Sequence, residues 1–165
     1  MGSTGRLVAA LIMVMTMFGC DYFAQKDLRP GESTADDVRR RMGKPETVWE
    51  EAGGAQVLEY VRGPQGHQTW MVEIGPDGRY RGMRNVLANE HFVKVQPGMS
   101  RDDVRRLLGK PTETHRYPLK PDEEVWSWRY QEGASDPALF QATFGPDGRV
   151  IATGTMRDPQ ARSTD

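Results

Sequence analysis

RPGESTADDVRRRMGKP (residues 29–45) returns later in the chain as QPGMSRDDVRRLLGKP (residues 96–111). Asp36 of the first copy aligns with Asp102 of the second, and the two copies continue in step from there at an offset of 66 residues. Internal repetition at a fixed spacing indicates that a chain is assembled from similar structural units. We therefore expect two tandem repeats.

Each copy carries the start and stop signals of a short helix. Thr34 and Ser100 occupy N-cap positions, and Gly43 and Gly109, each followed within two residues by proline, end the helices. The acidic pairs of the first turn could be proposed as catalytic carboxylates, but neighbours on a helix point about 100° apart and do not face one substrate. Their recurrence at the same position favours a capping role. These pairs are Asp36-Asp37 and Asp102-Asp103.

Strand patterns follow each helix. Alternating apolar residues flank a Gly-Pro-Asp-Gly turn in QTWMVEIGPDGRYRG (68–82) and in LFQATFGPDGRVIATG (139–154), as expected of hairpins. A further strand precedes each hairpin, QVLEYVRG (56–63) and EVWSWRYQ (124–131). Each repeat is therefore predicted to be a helix, two strands and a hairpin. A helix this short is stable only when it packs on another element, so we expect it to lie on the sheet.

The predicted fold class is α+β, with two tandem repeats that each have a short helical start followed by a small antiparallel sheet. The repeats span residues 28–87 and 88–157, and residues 158–165 are predicted to be a disordered tail because they offer almost no apolar side chain to bury. A segment of about 65 residues buries little surface alone. The repeats could share a core or continue one sheet, and the pattern leaves both open.

The start of the chain predicts secretion and lipid attachment. An apolar run from Leu7 to Phe18 is too short to span a membrane and suits a signal peptide over residues 1–19. Cys20 then resembles the lipidated cysteine of bacterial lipoproteins, followed by a short tether to residue 27. A plain secretory signal or an uncleaved anchor is the alternative. We expect a lipid anchor facing the periplasm, on the outer membrane, although Asp21 resembles an inner-membrane retention signal.

Composition argues against several classes of function. The 165 residues carry 22 Lys plus Arg and 23 Asp plus Glu, so the net charge of -1 shows no basic excess that would favour nucleic acid. One cysteine excludes an internal disulfide and a multi-cysteine zinc site. The histidines show no ligand spacing, and they are His67, His91 and His115. We predict no catalytic site, metal, cofactor or small-molecule substrate.

The second copy, PGMSRDDVRRLLGKP, resembles the signature of the BamE (SmpA/OmlA) family of small bacterial lipoproteins, with Trp126 and Trp128 in the family's aromatic strand. The first copy matches more loosely, with Glu32 for the methionine and Arg41 for a leucine. Tandem duplication is similar to the β-lactamase inhibitor protein, which shares this module type. The resemblance implies a non-catalytic envelope lipoprotein that supports outer-membrane protein assembly or envelope integrity; the alternative is an inhibitory module that grips an envelope protein with the face of a two-repeat sheet.

A partner surface is expected on the solvent face of the sheets, where large side chains can act as anchors. The candidates are Trp49, Met71, Tyr117 and Trp126. Each of them could instead belong to the core, and the alternation of Trp126, Trp128 and Tyr130 favours inner-face packing for that strand. The expected partners are the membrane, through Cys20, and envelope proteins, including the outer-membrane assembly machinery.

Overall fold

The computed structural model describes residues 27–63, 66–132 and 136–160. The signal peptide, Cys20, Asp21, the tether up to residue 26 and residues 161–165 lie outside the described residues. Among those described there are three α-helices, one 3₁₀ turn and eight strands. In chain order they are α1 Ala35–Met42, β1 Thr47–Glu50, the 3₁₀ turn Ala52–Gly54, β2 Gln56–Arg62, β3 Gln68–Ile74, β4 Tyr80–Asn85, α2 Asn89–Phe92, α3 Arg101–Leu108, β5 Glu113–Tyr117, β6 Lys120–Glu132, β7 Asp136–Phe144 and β8 Val150–Arg157.

The described strands form two separate four-stranded antiparallel sheets, in the orders β1-β2-β3-β4 and β5-β6-β7-β8. The predicted α+β class and the tandem repeat are therefore confirmed. Both Gly-Pro-Asp-Gly segments close as turns, since Gly78 N–H donates to the Gly75 carbonyl and Gly148 N–H to the Gly145 carbonyl, each at 2.9 Å. The sheet shared by both repeats, on which the inhibitor-like alternative depends, is not formed by these strands.

The predicted caps are present at both repeated helices. Thr34 begins α1 and Ser100 begins α3 with reciprocal capping boxes, in which the N3 aspartates Asp37 and Asp103 accept from the N-cap backbone. These hydrogen bonds favour the ionised carboxylate, and the Thr34 backbone bond above all lowers the pKa of Asp37 to about 2. The helices therefore begin where the sequence predicted.

Each helix is also tied to its sheet in the same way at its C-terminal end. The Tyr60 hydroxyl donates to the Gly43 carbonyl at 3.2 Å, and the Trp128 indole N–H donates to the Gly109 carbonyl at 3.0 Å. Tyr60 and Trp128 thus hold equivalent positions in β2 and β6, and the residues beside them, Glu59 and Ser127, are equivalent as well. This equivalence lets each feature of one repeat be compared with its counterpart.

The first core lies between α1 and one face of the first sheet. Its members are Leu28, Val38, Met42, Leu58, Tyr60, Val72, Ile74 and Tyr80. Successive strand residues point to opposite faces, so Leu58 and Tyr60 face α1 while Val57 and Glu59 face the other way.

The second core lies between the two sheets, with α2 and α3 inside it. Met71 of the first sheet belongs to the same buried cluster as Val104 and Leu108 of α3 and the aromatic residues of the second sheet. The layers therefore run α1, first sheet, α2 with α3, second sheet. Val86 and Leu87, assigned from sequence to the first repeat, are buried in this second core.

The structure corrects the predicted start of the tail. Asp158 is 2% exposed, and its carboxylate accepts from Arg129 Nε at 2.5 Å. Arg129 also donates to the Gln160 side chain at 3.2 Å. The apolar content of this segment is low, as the sequence indicates, but an ion pair holds it in place. Ordered structure thus continues to Gln160.

Candidate protein-binding surface

A buried carboxylate joins the two repeats. Glu59, on β2, has no exposed surface, and its oxygens accept from Arg105 Nη1 at 2.7 and 2.8 Å. The Lys110 backbone N–H donates to Glu59 at 2.7 Å and the Trp49 indole N–H at 3.2 Å. Because Arg105 and Lys110 belong to the second repeat, Glu59 is the point at which helix α3 is fixed to the outer face of the first sheet.

Cations from the second repeat surround this carboxylate. The guanidinium groups of Arg105 and Arg106 lie 5.5 and 5.0 Å from the centre of the Trp49 ring, within cation–π range. Lys110 pairs with Glu46, and its hydrogen bond to that carboxylate is the main cause that lowers the pKa of Glu46. The interface thus combines polar contacts to β1 and the adjoining Glu46 with the apolar cluster that includes Met71.

Gly109 lets the two repeats approach closely. Its φ is +77°, and a Cβ built there would lie 2.6 Å from Thr69 Cγ2 and 2.9 Å from Glu59 Oε1. Any larger side chain would separate the end of α3 from the first sheet. Its counterpart in the first repeat, Gly43, has no atom within 4 Å of such a Cβ, so there only the backbone conformation favours glycine.

Two of the four predicted anchors lie in this interface. Met71 is 1% exposed, which corrects its predicted place on a solvent face, because helix α3 covers that face of the first sheet. Trp49 is half-buried and contacts Glu59, Arg105 and Arg106. Both side chains therefore contact the second repeat of the same chain.

The remaining two anchors lie apart. Trp126 is half-buried against the second core, with its ring centre 4.8 Å from that of Phe144, so it packs inward as its alternation with Trp128 predicts. Tyr117, at the end of β5, is 52% exposed. Of the four candidates, Tyr117 alone is an exposed side chain.

Besides the isolated Val93 after α2, exposed large apolar side chains of the second repeat occur in pairs at two places. The turn between β5 and β6 presents Tyr117 and Leu119, the latter 96% exposed. Strand β8 presents Ile151 at 50% and Met156 at 44%. Sequence reasoning missed all of these except Tyr117. The signal at the turn was a leucine between two prolines, YPLKP, where no partner strand can cover it.

Glu59 was missed as well. In an alternating strand, a glutamate between Leu58 and Tyr60 is expected to face solvent. The signal against this is its counterpart in the second repeat, which is Ser127 and not another charged residue.

Within the described part of the chain, no three His, Cys, Asp or Glu side chains are grouped to hold a metal, and no helix there has the length and apolarity to cross a bilayer.

Comparison with known families identifies part of the chain. The family model of the outer membrane protein assembly factor BamE domain matches residues 84–148. The match covers less than half of the 165 residues. The matched region contains α2, α3 and β5 to β7, and it ends just before β8.

Two solved structures are similar. A structure described as osmotically inducible lipoprotein OsmE is 28% identical, with the match covering 42% of this chain and 78% of that chain at a TM-score of 0.37. A DUF4309 family protein, YjgB from Bacillus subtilis, is 17% identical, with 81% and 84% covered and a TM-score of 0.31. A search of curated proteins found no match.

Proposed function

We propose that this chain is a lipid-anchored protein of the cell envelope that supports outer-membrane protein assembly or envelope integrity by binding other proteins, without catalysing a reaction. The BamE domain at residues 84–148 is the observation that carries the proposal. The sequence pattern that ends in Cys20 supports the anchor, with the outer membrane as the expected location and the inner membrane as the alternative that Asp21 suggests.

The distribution of exposed side chains supports a division of labour between the repeats. The first sheet is covered on one face by α1 and on the other by α3, so most of its large apolar side chains are buried within the chain, with Val48 exposed at 39%. Tyr117 and Leu119, by contrast, lie in the BamE domain and are exposed. We propose that the turn between β5 and β6 contacts the partner while the first repeat braces α3.

Membrane fractionation followed by crosslinking and partner identification tests the function. The natural chain should fractionate with membranes and recover the outer-membrane assembly machinery, and Cys20→Ser should move it to the soluble fraction. Recovery of a single soluble hydrolase without that machinery would favour the inhibitor-like alternative. A soluble natural chain would contradict the anchor.

A matched pair of variants tests the turn. Leu119→Glu should lower partner recovery several-fold, because an exposed apolar anchor is replaced by a charge. Val93→Glu is the control, since Val93 is also an exposed apolar residue of the second repeat, at 68%, but lies beyond the end of α2. Equal recovery with both variants would contradict the assignment of the turn.

A further inference from the structure

Strand β8 forms the outer edge of the second sheet. It pairs with β7 on one side, and no other described strand pairs with it on the other. Asp158 N–H donates to the Pro137 carbonyl of β7 at 3.0 Å, which fixes the direction of the backbone groups before it. Because hydrogen-bonding direction alternates along an antiparallel strand, the N–H and C=O groups of Thr153, Thr155 and Arg157 point away from β7.

This edge lacks the charged side chains and prolines that usually block strand addition. All seven residues from Ile151 to Arg157 are exposed, and none from Val150 to Met156 is charged or is proline. An exposed edge of this kind is a template for pairing with another strand.

The equivalent edge of the first sheet is protected. Strand β4 has six residues and carries Arg81 and Arg84, which pair with Asp77 and Glu73. Charged side chains on an edge strand oppose pairing with a neighbour. The two repeats therefore differ in how well this edge strand is protected against pairing with a neighbour, and β8 lies outside the region matched by the BamE domain.

We propose that β8 pairs with β8 of a second copy of this chain, joining two four-stranded sheets into one eight-stranded sheet across a two-fold axis. The sequence Thr153-Gly154-Thr155 is symmetric about Gly154, so the axis passes through Gly154. In that register Thr153 of each copy lies opposite Thr155 of the other, and both present their outward N–H and C=O groups to each other. Gly154, at the axis, brings no side chain into the crowded centre.

The side-chain pairs of this register are compatible. Opposed threonines are a favourable cross-strand pair, and Ala152 opposes Met156, a small residue against a large one. The ladder extends from Ile151 to Arg157. An interface of one strand pair is small, so the association is expected to be weak and dependent on concentration. This inference does not rest on the proposed envelope function.

Disulfide trapping in the full-length chain tests the register. At a non-hydrogen-bonded antiparallel pair the Cα atoms are about 4.5 Å apart, which lies within the range that a disulfide bridges. Gly154→Cys should therefore give, under mild oxidant, a band at twice the mass of the reduced chain. A Cβ at Gly154 meets no atom within 4 Å, so the variant should fold normally.

Gly82→Cys is the matched control, because Gly82 lies on the protected edge β4 and has equally open space around its Cα. The natural chain, with Cys20 alone, gives the background. Several-fold more dimer from Gly154→Cys than from either supports self-pairing. An equal amount in all three, or crosslinks only to other proteins, overturns it.

A second measurement separates pairing from chance collision. Thr155→Pro in the Gly154→Cys chain removes a donor that faces the open edge and leaves the β7–β8 hydrogen bonds in place, so the trapped dimer should be lost. If that variant does not fold, charge reversal replaces it. A chain with Thr153→Lys and Thr155→Lys should form dimer only when mixed with one carrying Thr153→Glu and Thr155→Glu, and equal trapping of the Lys chain with itself would overturn the register.

Discussion

Substitution of Arg105 by methionine should be among the most destabilising single changes in this chain. It removes the guanidinium that faces the fully buried carboxylate of Glu59 and leaves that charge with only the Lys110 amide and the Trp49 indole as donors. Removal of one partner of a buried ion pair typically costs about 3–5 kcal/mol because the other charge stays buried without compensation. A domain of this size has a total stability of about 5–15 kcal/mol, so the loss would be large.

The reverse change should cost less. In Glu59→Met, Arg105 is already 20% exposed and can turn its guanidinium toward water, so the main loss is the Lys110 N–H acceptor, worth about 1–3 kcal/mol. The double variant with methionine at both positions places apolar side chains next to Met71 and should be more stable than Arg105→Met alone. The two single effects therefore should not add.

Urea unfolding followed by tryptophan fluorescence measures these free energies. The matched control is Arg39→Met, because Arg39 is the counterpart of Arg105 in α1 and forms only an exposed pair with Asp36 at 3.3 Å. That control should change the free energy of unfolding by less than about 1 kcal/mol. A cost for Arg105→Met no larger than that of Arg39→Met, or additive effects in the double variant, would refute the assignment of Glu59 as the joint between the repeats.

Three further predictions concern the core, a cap and pH. Met71→Ala should lower the free energy of unfolding by about 2–5 kcal/mol because it leaves a cavity in the core. Tyr117→Ala, at a 52% exposed position, should change it by no more than about 0.5 kcal/mol. Similar values for the two variants in urea unfolding would contradict the buried placement of Met71 and the exposed placement of Tyr117. Ser100→Ala should cost about 1 kcal/mol by removing the cap of α3, and retention of full stability would contradict that cap. Burial, followed by Lys94, lowers the pKa of His91 below its usual 6.5, so the unfolded chain binds the proton more readily and thermal stability should fall as pH drops from 7 to 5. His91→Asn should flatten that decline, and an unchanged pH profile would show that His91 is not its source.

The sequence predicted those parts of the fold that depend on local signals. Thr34 and Ser100 form caps, and both glycine-proline turns close hairpins, because a few adjacent residues are sufficient to favour each structure. The presence of each signal twice made the prediction safer, since the same pattern in two contexts rarely arises from chance. Trp128 and Tyr130 were predicted to face inward, and both are buried.

The faces of the first sheet could not be predicted in the same way. Alternation along β3 shows that Met71 and Val72 point in opposite directions, but it does not show what covers each face. In a single sheet with one helix the second face would meet solvent, which is why Met71 was expected there. Its burial depends on the docking of α3, a contact between residues far apart in sequence. The same docking buries Glu59. Because that contact is not visible in the local pattern, the alternation indicated a surface residue for the side chain that joins the repeats.

The differences between the repeats disfavour the stacking of a further unit on the second sheet. Consider the α1 helix of a second copy docked on the second sheet in the way that α3 docks on the first. Its Arg39 would take the place of Arg105 and would need a carboxylate partner equivalent to Glu59. The second sheet has Ser127 at that position. A guanidinium buried there without a carboxylate would be costly. Arg41 would stand where Leu107 packs against the apolar cluster, and the Arg129–Asp158 pair already ties the segment after β8 to the second sheet. Face-to-face extension is therefore disfavoured at both ends, so among the surfaces that the structure describes the β8 edge is the more favourable route to association between copies.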